Sequence, residues 1–297
     1  RDRWVDEFKD LFSDKLGVLK RFQHKIKLKQ GAKAAVCKTR PVPHLMKEPL
    51  KWELEKLEGL GVIQPINNSE WLSPLVIAKK NNDMGLRLCI DMRSVNENIV
   101  VERHPLPCIN EMLATMGKAS FFSIIDLSMA YHQVELHPDS RPLTAFMTPE
   151  GMYMYNRMPF GLCSAAAVLQ KIMEDILKGI KNTLCFQDDI LIYNTDKSEH
   201  DRLLREVLSK LCSAGLSIKP DKCQFGVRSV DYLGHTLSKE GFKPKASLVK
   251  AIETAAPPKD KAELKSFLGL AEFMEKYVEN FASKSSELRM FLRKNSK

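Results

Sequence analysis

Asp188 and Asp189 stand side by side between two apolar runs, Leu184-Cys185-Phe186 and Ile190-Leu191-Ile192-Tyr193. Adjacent carboxylates raise each other's pKa or demand a cation, and apolar flanks sharpen that demand, because a charge drawn out of water is costly. On their own the two acids read as a solvated turn, since a bare Asp-Asp pair is functional only about one time in ten. A third acid changes the balance: Asp126 directly follows the apolar run Phe121-Phe122-Ser123-Ile124-Ile125. Three carboxylates at strand ends can converge in space although the chain separates them. Their oxygens are hard ligands that suit Mg²⁺ or Mn²⁺ better than zinc, and no nearby His/Cys set offers a softer site. The chemistry implied is metal-assisted phosphoryl transfer.

The elements that must carry these acids can be read from periodicity. Leu184–Phe186 and Ile190–Tyr193 form a hairpin with the acids at its tip, and Phe121–Ile125 is a short buried strand ending at Asp126. Upstream, Pro74–Ala78 and Leu86–Ile90 flank the turn-rich Asn81-Asn82-Asp83-Met84-Gly85, a second hairpin bearing Lys79 and Lys80. The alternation His24–Lys29 predicts a strand, and Leu50, Leu54 and Leu57 mark a helix stopped by Gly59 and Gly61. Met152–Met158 reads as a strand, Ser164 as the cap of a helix to about Ile180, and Ser198–Ala214 as a helix ended by Gly215. One strand is expected through Val230–Leu237, with a helical, basic region from Gly241. There, Asp260 and Glu263 resemble a capping box ahead of the apolar face Leu264, Phe267, Leu268, Ala271 and Met274. Strands and helices mixed without βαβ regularity argue for an α+β fold.

The chain has 297 residues, more than one core usually serves, which points to about two domains or subdomains. Its composition, 44% hydrophobic and 28% charged, excludes a disordered tail or a collagen-like chain. No apolar run approaches a membrane span, and Arg1-Asp2-Arg3-Trp4 lacks the layout of a secretory signal, so a soluble chain with no membrane partner is expected. A start at Arg1 suggests a piece of something longer. The seven cysteines are odd in number and lack C-x-x-C spacing, which points to a reducing, intracellular compartment. Net charge is +9, distributed as +7 over residues 1–40, −3 over 41–240 and +5 over 241–297. Basic ends suit a polyanion such as nucleic acid, and a carboxylate-rich middle suits divalent cations.

Read in order, five segments carry a family resemblance: Arg87-Leu88-Cys89-Ile90-Asp91-Met92-Arg93-Ser94-Val95-Asn96, Phe122–Gln133 with Asp126 inside it, Met158-Pro159-Phe160-Gly161-Leu162, Phe186-Gln187-Asp188-Asp189-Ile190-Leu191-Ile192-Tyr193 and Tyr232-Leu233-Gly234-His235. With Phe267-Leu268-Gly269-Leu270 after them, the chain resembles the reverse transcriptase domain of gypsy-like long-terminal-repeat retrotransposons from about residue 40 to its end. The ordered series is far more specific than any one member.

The resemblance implies a right-hand polymerase of fingers, palm and thumb with an antiparallel palm sheet. It divides the chain into an N-terminal segment and fingers (1–105), a palm (106–240) with a return to the fingers at about 140–160, and a thumb (241–297). It implies RNA-directed DNA polymerisation, with DNA templates also copied, by two-metal nucleotidyl transfer from a dNTP to a primer 3′-hydroxyl. Asp126, Asp188 and Asp189 would hold two Mg²⁺ ions, Mn²⁺ being a possible substitute, with the carbonyl of Leu127 as a further ligand. Lys80, or Lys79 if the register slips by one, and Arg87 would hold the triphosphate. Met129, Ala130, Tyr131, Phe160 and Gln187 would line the nucleotide pocket, with the Tyr131 ring excluding a 2′-hydroxyl. Arg93, Pro159, Gly161, Leu233, Gly234, His235, Gly269 and Phe273 would meet template or primer, either of which can be RNA or DNA. Other parts of a retroelement polyprotein would be partners, in cytoplasm or a virus-like particle.

Two positions depart from the family pattern: Phe186 replaces the usual Tyr, and Gln187 replaces the commoner apolar residue. No ribonuclease H, integrase or protease motif follows, so template degradation is not expected of this chain. Two other readings compete. One is a host-adopted, retroelement-derived nucleic-acid-binding protein without polymerase activity, disfavoured because the three Asp, Lys80 and Arg87 are all present. The other is a cyclase-like phosphoryl-transfer enzyme, which would have little use for a basic C-terminal region.

Overall fold

Four short strands assemble into one antiparallel sheet in the order Gln224–Val227, Phe121–Asp126, Asp189–Asn194, Thr183–Phe186. The structure, a computed structural model, describes residues 2–38, 40–79 and 86–292. The apolar run 190–193 does not alternate with polar residues because the sheet is covered on both faces. Ile190 and Ile192 enter the main core with Val207, Leu208 and Leu211, while Leu191 and Tyr193 enter a second cluster with Met112, Phe122, Val230 and Leu237. Helices Ala165–Leu177 and Lys197–Ser213 belong to the first face. The second helix starts at Asp196, whose carboxylate accepts from the Glu199 amide at 2.9 Å. Under the same face Ser123 Oγ lies 3.1 Å from His200 Nε2 and accepts from the Gly226 amide at 2.8 Å, so these buried polar groups are satisfied.

A separate hairpin pairs Leu75–Lys79 with Leu86–Ile90, and a three-stranded sheet orders Ile63–Ile66, Gly151–Tyr155 and Phe146–Thr148. Helix Lys47–Gly59 buries Leu50, Leu54 and Leu57, as its spacing requires. A second three-stranded sheet, Ser229–Tyr232, His235–Ser238 and Gly241–Pro244, leads into helices Ala246–Glu253, Lys261–Glu272 and Phe281–Phe291. The fold is therefore α+β with antiparallel sheets, as its sequence implies. Among the described residues no helix is long and apolar enough to cross a membrane.

Several elements differ from expectation. The alternation at His24–Lys29 yields only a two-residue strand, Gln23–His24, parallel to Glu135–Leu136, plus one bridge from Leu28 to Ile99. Burial still alternates over residues 24–27, and the Val100 amide donates to the Lys27 carbonyl at 2.8 Å and the Lys29 amide to the Asn98 carbonyl at 2.9 Å, without a continuous ladder between. The strand foreseen to Met158 ends at Tyr155. Ser164 caps without its side chain: its backbone is already helical (φ −88°, ψ −10°), and the helix stops at Leu177. Val230–Leu237 is two strands, not one, because Leu233 (φ 46°) and Gly234 (φ 83°) turn the chain back. Gly241 opens a third strand of that sheet, and helix begins at Ala246. The cap at Asp260 forms as expected, with the Glu263 amide donating to its carboxylate at 2.8 Å.

Candidate active site

Backbone pairing brings the three acids together. Asp126 and Asp189 are register partners on neighbouring antiparallel strands, and the Leu127 amide donates to the Asp188 carbonyl at 3.3 Å. Gln187, at φ 56°, turns the hairpin so that Asp188 and Asp189 follow it beside the end of the Asp126 strand. Burial, then the charges of Asp188 and Asp126, push the Asp189 carboxyl up to about 6. Burial raises Asp188 as well, with the Asp126 charge adding to it. The charge is thus incompletely compensated by the chain itself. Lys222 supplies one counter-charge, its Nζ standing 3.1 Å from Asp126 Oδ2 and 3.3 Å from Oδ1. Among the described residues no group of three or more His, Cys, Asp or Glu is arranged to hold a metal ion as it stands. The donors themselves, carboxylate oxygens with unrelieved mutual repulsion, fit a hard divalent cation.

Sequence reasoning missed two residues here. Gln170, fully buried on helix Ala165–Leu177, clamps the acid hairpin: its Oε1 accepts from the Gln187 amide at 2.8 Å and its Nε2 donates to the Cys185 carbonyl at 3.0 Å. Its signal was a lone amide in the helical phase of Leu169, Ile172 and Met173. Lys222 gave none, since nothing in its spacing from Asp126 shows that the two meet.

Around the acids, the Tyr131 ring meets Phe160 edge-on at 5.2 Å, and the Arg87 guanidinium lies 5.8 Å from the Phe160 ring centre. Met129 adopts φ 49° and starts the tight turn Ala130–Gln133 that presents Tyr131. Tyr131 Oη donates to Gln187 Oε1 at 3.1 Å. Arg87, Phe160, Tyr131 and Gln187 therefore form one contiguous wall leading to Asp188. Lys80 lies outside the described residues. Pro159 is buried, while Gly161 is exposed at φ 92°, where a Cβ would sit 2.8 Å from the Ile90 carbonyl. Asn96 pins that turn, donating to the Gly161 carbonyl at 2.9 Å and accepting from the Cys163 amide at 3.0 Å.

The residues expected at template or primer are not all presented to solvent. Arg93 is exposed but doubly bonded to Asp91, at 2.8 and 2.6 Å, and Arg40 meets the same carboxylate at 3.1 Å. Those guanidinium groups hold the Asp91 carboxyl down at about 2. Leu233 and Gly234 form the turn of the second sheet, and His235 is buried, stacked on Phe273 at 5.0 Å. Gly234 packs against the same ring, where a Cβ would lie 2.5 Å from Phe273 Cζ. Phe273 thus faces the hairpin, whereas Gly269 is exposed with open space around it. Lys276 Nζ donates to His235 Nε2 at 2.9 Å, which leaves the proton on Nδ1, 2.7 Å from the Tyr277 hydroxyl. Phe186, His235 and Phe273 line a cleft of about 530 Å³ between this junction and the acid hairpin.

Burial and the Lys276 charge lower the His235 imidazole to about 4. The folded value lies below the ordinary one, so the stability given by neutral His235 is complete above about pH 6.5 and is lost as pH falls toward 4. Between those values the thermal midpoint is expected to drop about 5 °C further in the wild type than in His235→Phe. Equal pH dependence in the two proteins, followed by circular dichroism, would contradict this.

Comparison with known proteins gives the family and the fold. The family described as "Reverse transcriptase (RNA-dependent DNA polymerase)" matches residues 77–237. The retrovirus-related Pol polyprotein from transposon 297 of Drosophila melanogaster is 36% identical over 251 residues, covering 82% of this chain and 24% of that protein. The Pol polyprotein from transposon gypsy of the same species is 36% identical over 238 residues, covering 78% and 23%. The chain spans about a quarter of the length of these relatives. In three dimensions it is similar to the foamy viral protease-reverse transcriptase solved with double-stranded DNA, at TM-score 0.90 and 24% identity over 98% of this chain and 51% of that one. The same viral protein solved with an RNA/DNA hybrid also gives 0.90, at 22% identity over 98% and 39%. The right-hand polymerase fold is shared, and the chain belongs to the reverse transcriptase (RNA-dependent DNA polymerase) family.

Proposed function

We propose that the chain copies RNA, and also DNA, into DNA by transferring a nucleotidyl group from a dNTP to a primer 3′-hydroxyl. The observation that carries this reading is the pairing of Asp126 with Asp189 at the mouth of a hairpin that also bears Asp188, beside the Arg87–Phe160–Tyr131 wall. Asp126, Asp188 and Asp189, with the Leu127 carbonyl, are the groups that would hold two Mg²⁺ or Mn²⁺ ions. The chemistry such ions would supply, when bound, is a more acidic attacking hydroxyl and a neutralised leaving pyrophosphate. Arg87, joined by Lys80, holds the triphosphate by charge-assisted hydrogen bonds. Tyr131, with the Met129–Ala130 backbone, Phe160 and Gln187, orients the sugar and base. Lys222, ion-paired with Asp126, holds that carboxylate in place until the site is loaded.

Residues 1–105 comprise an N-terminal segment and the fingers, 106–240 the palm with a return to the fingers at about 140–160, and 241–297 the thumb. Arg93, Pro159, Gly161 and the exposed Gly269 meet template and primer. Leu233, Gly234, His235 and Phe273 serve the primer through the shape of their packed junction. Relatives that are Pol polyproteins make further polyprotein parts reasonable partners, in cytoplasm or particles.

The test is primer extension by the purified chain with Mg²⁺ on RNA and on DNA templates. Extension on both is expected, and failure on both overturns the reading. Because phosphate contacts dominate such binding, duplex affinity is expected to fall about a thousandfold between 50 and 200 mM salt, measured by fluorescence anisotropy.

A further inference from the structure

The unusual Gln187 has a definite partner. Its Oε1 accepts the Tyr131 hydroxyl hydrogen at 3.1 Å, and its own amide is gripped by the fully buried Gln170 at 2.8 Å. The Tyr131 ring is therefore fixed in two places: edge-on against Phe160, and through its hydroxyl to the residue that immediately precedes Asp188 in the turn. Burial, and then the Asp188 charge, raise the Tyr131 phenol, so its hydroxyl keeps the proton it donates. Gln187 holds a left-handed backbone conformation (φ 56°), so its side chain leaves the turn in a set direction. An apolar residue at 187 would leave the same ring packed but its hydroxyl without this acceptor.

We infer that Gln187 is a positioning residue for sugar selection: its hydrogen bond to Tyr131 couples the ring in the nucleotide pocket to the turn carrying Asp188, so a ribonucleoside triphosphate that pushes the ring aside also displaces a catalytic carboxylate. This rests on the polymerase reading above. The coupling makes discrimination appear in kcat as well as in KM, because the wrong sugar disturbs both the pocket and the acids. Without the bond, the ring yields alone and the carboxylate stays where it is, so the kcat component of discrimination shrinks.

The experiment compares the wild-type chain with Tyr131→Phe, Gln187→Leu and the double variant, both single changes being close in volume to the originals. Single-nucleotide extension with dCTP and CTP gives the ratio of kcat/KM for the two sugars. Each single variant is expected to lower that ratio about three- to tenfold, mainly through kcat for CTP, and the double variant by no more than either single. Losses that multiply in the double variant, or a ratio unchanged in both singles, overturn the coupling while leaving the polymerase reading intact. A wild-type chain that extends no primer on either template overturns both.

Discussion

Asp188→Asn is expected to abolish metal-dependent primer extension, by about 10³-fold or more, while the protein stays folded. The amide keeps the size of the side chain but removes half of the charge that the acid turn offers, and developing charge on the transferred phosphoryl group depends on that anchoring. Stability moves the other way. Asp188 and Asp189 are both raised by burial and by their neighbours' charges, so an ionised pair in metal-free buffer opposes folding above the ordinary carboxylate range. Relieving one member raises the thermal midpoint by about 2–4 °C in EDTA at pH 7.5. Extension and melting curves on one preparation check both halves, and substantial extension by Asp188→Asn would refute the role given to the acid.

The second large effect is expected at a residue that touches no substrate. Gln170→Leu conserves bulk in a buried helix but removes the acceptor of the Gln187 amide and the donor to the Cys185 carbonyl. Leaving such partners unmet costs about 1–3 kcal/mol, and the acid turn is freed to shift. Misplacement of about 1 Å at a reacting centre can cost 10²-fold, so extension is expected to fall roughly 10- to 100-fold with dNTP KM little changed. A variant that loses stability alone, with extension per folded molecule intact, would show that Gln170 only supports the fold.

These two residues mark the limit of what the sequence discloses. Asp126, Asp188 and Asp189 were legible because acids at the ends of apolar runs are conspicuous, and both hairpins were legible because turn residues separate β-rich segments. Gln170 was obscured because its partners are main-chain atoms brought to it by a hairpin elsewhere in the chain. The stack of His235 on Phe273 was likewise hidden, because the two residues lie in separate elements and neither segment announces that they meet. His24–Lys29 shows the converse, an alternating pattern that pairs over two residues, since pairing also needs a neighbouring strand. The break at Leu233 required a non-glycine residue in a left-handed conformation, which local propensity does not announce.

The rung joining Asp126 to Asp189 has a wider consequence. Opposed residues in an antiparallel ladder lie about 4.5–5.5 Å apart whatever their side chains, so the backbone itself serves as the ruler for these two acids. Mutations that repack the surroundings can retune charge, selectivity or turnover without altering that measure. A lineage can therefore drift through most of its residues and keep its engine in gauge, provided the two strands go on meeting in the same register.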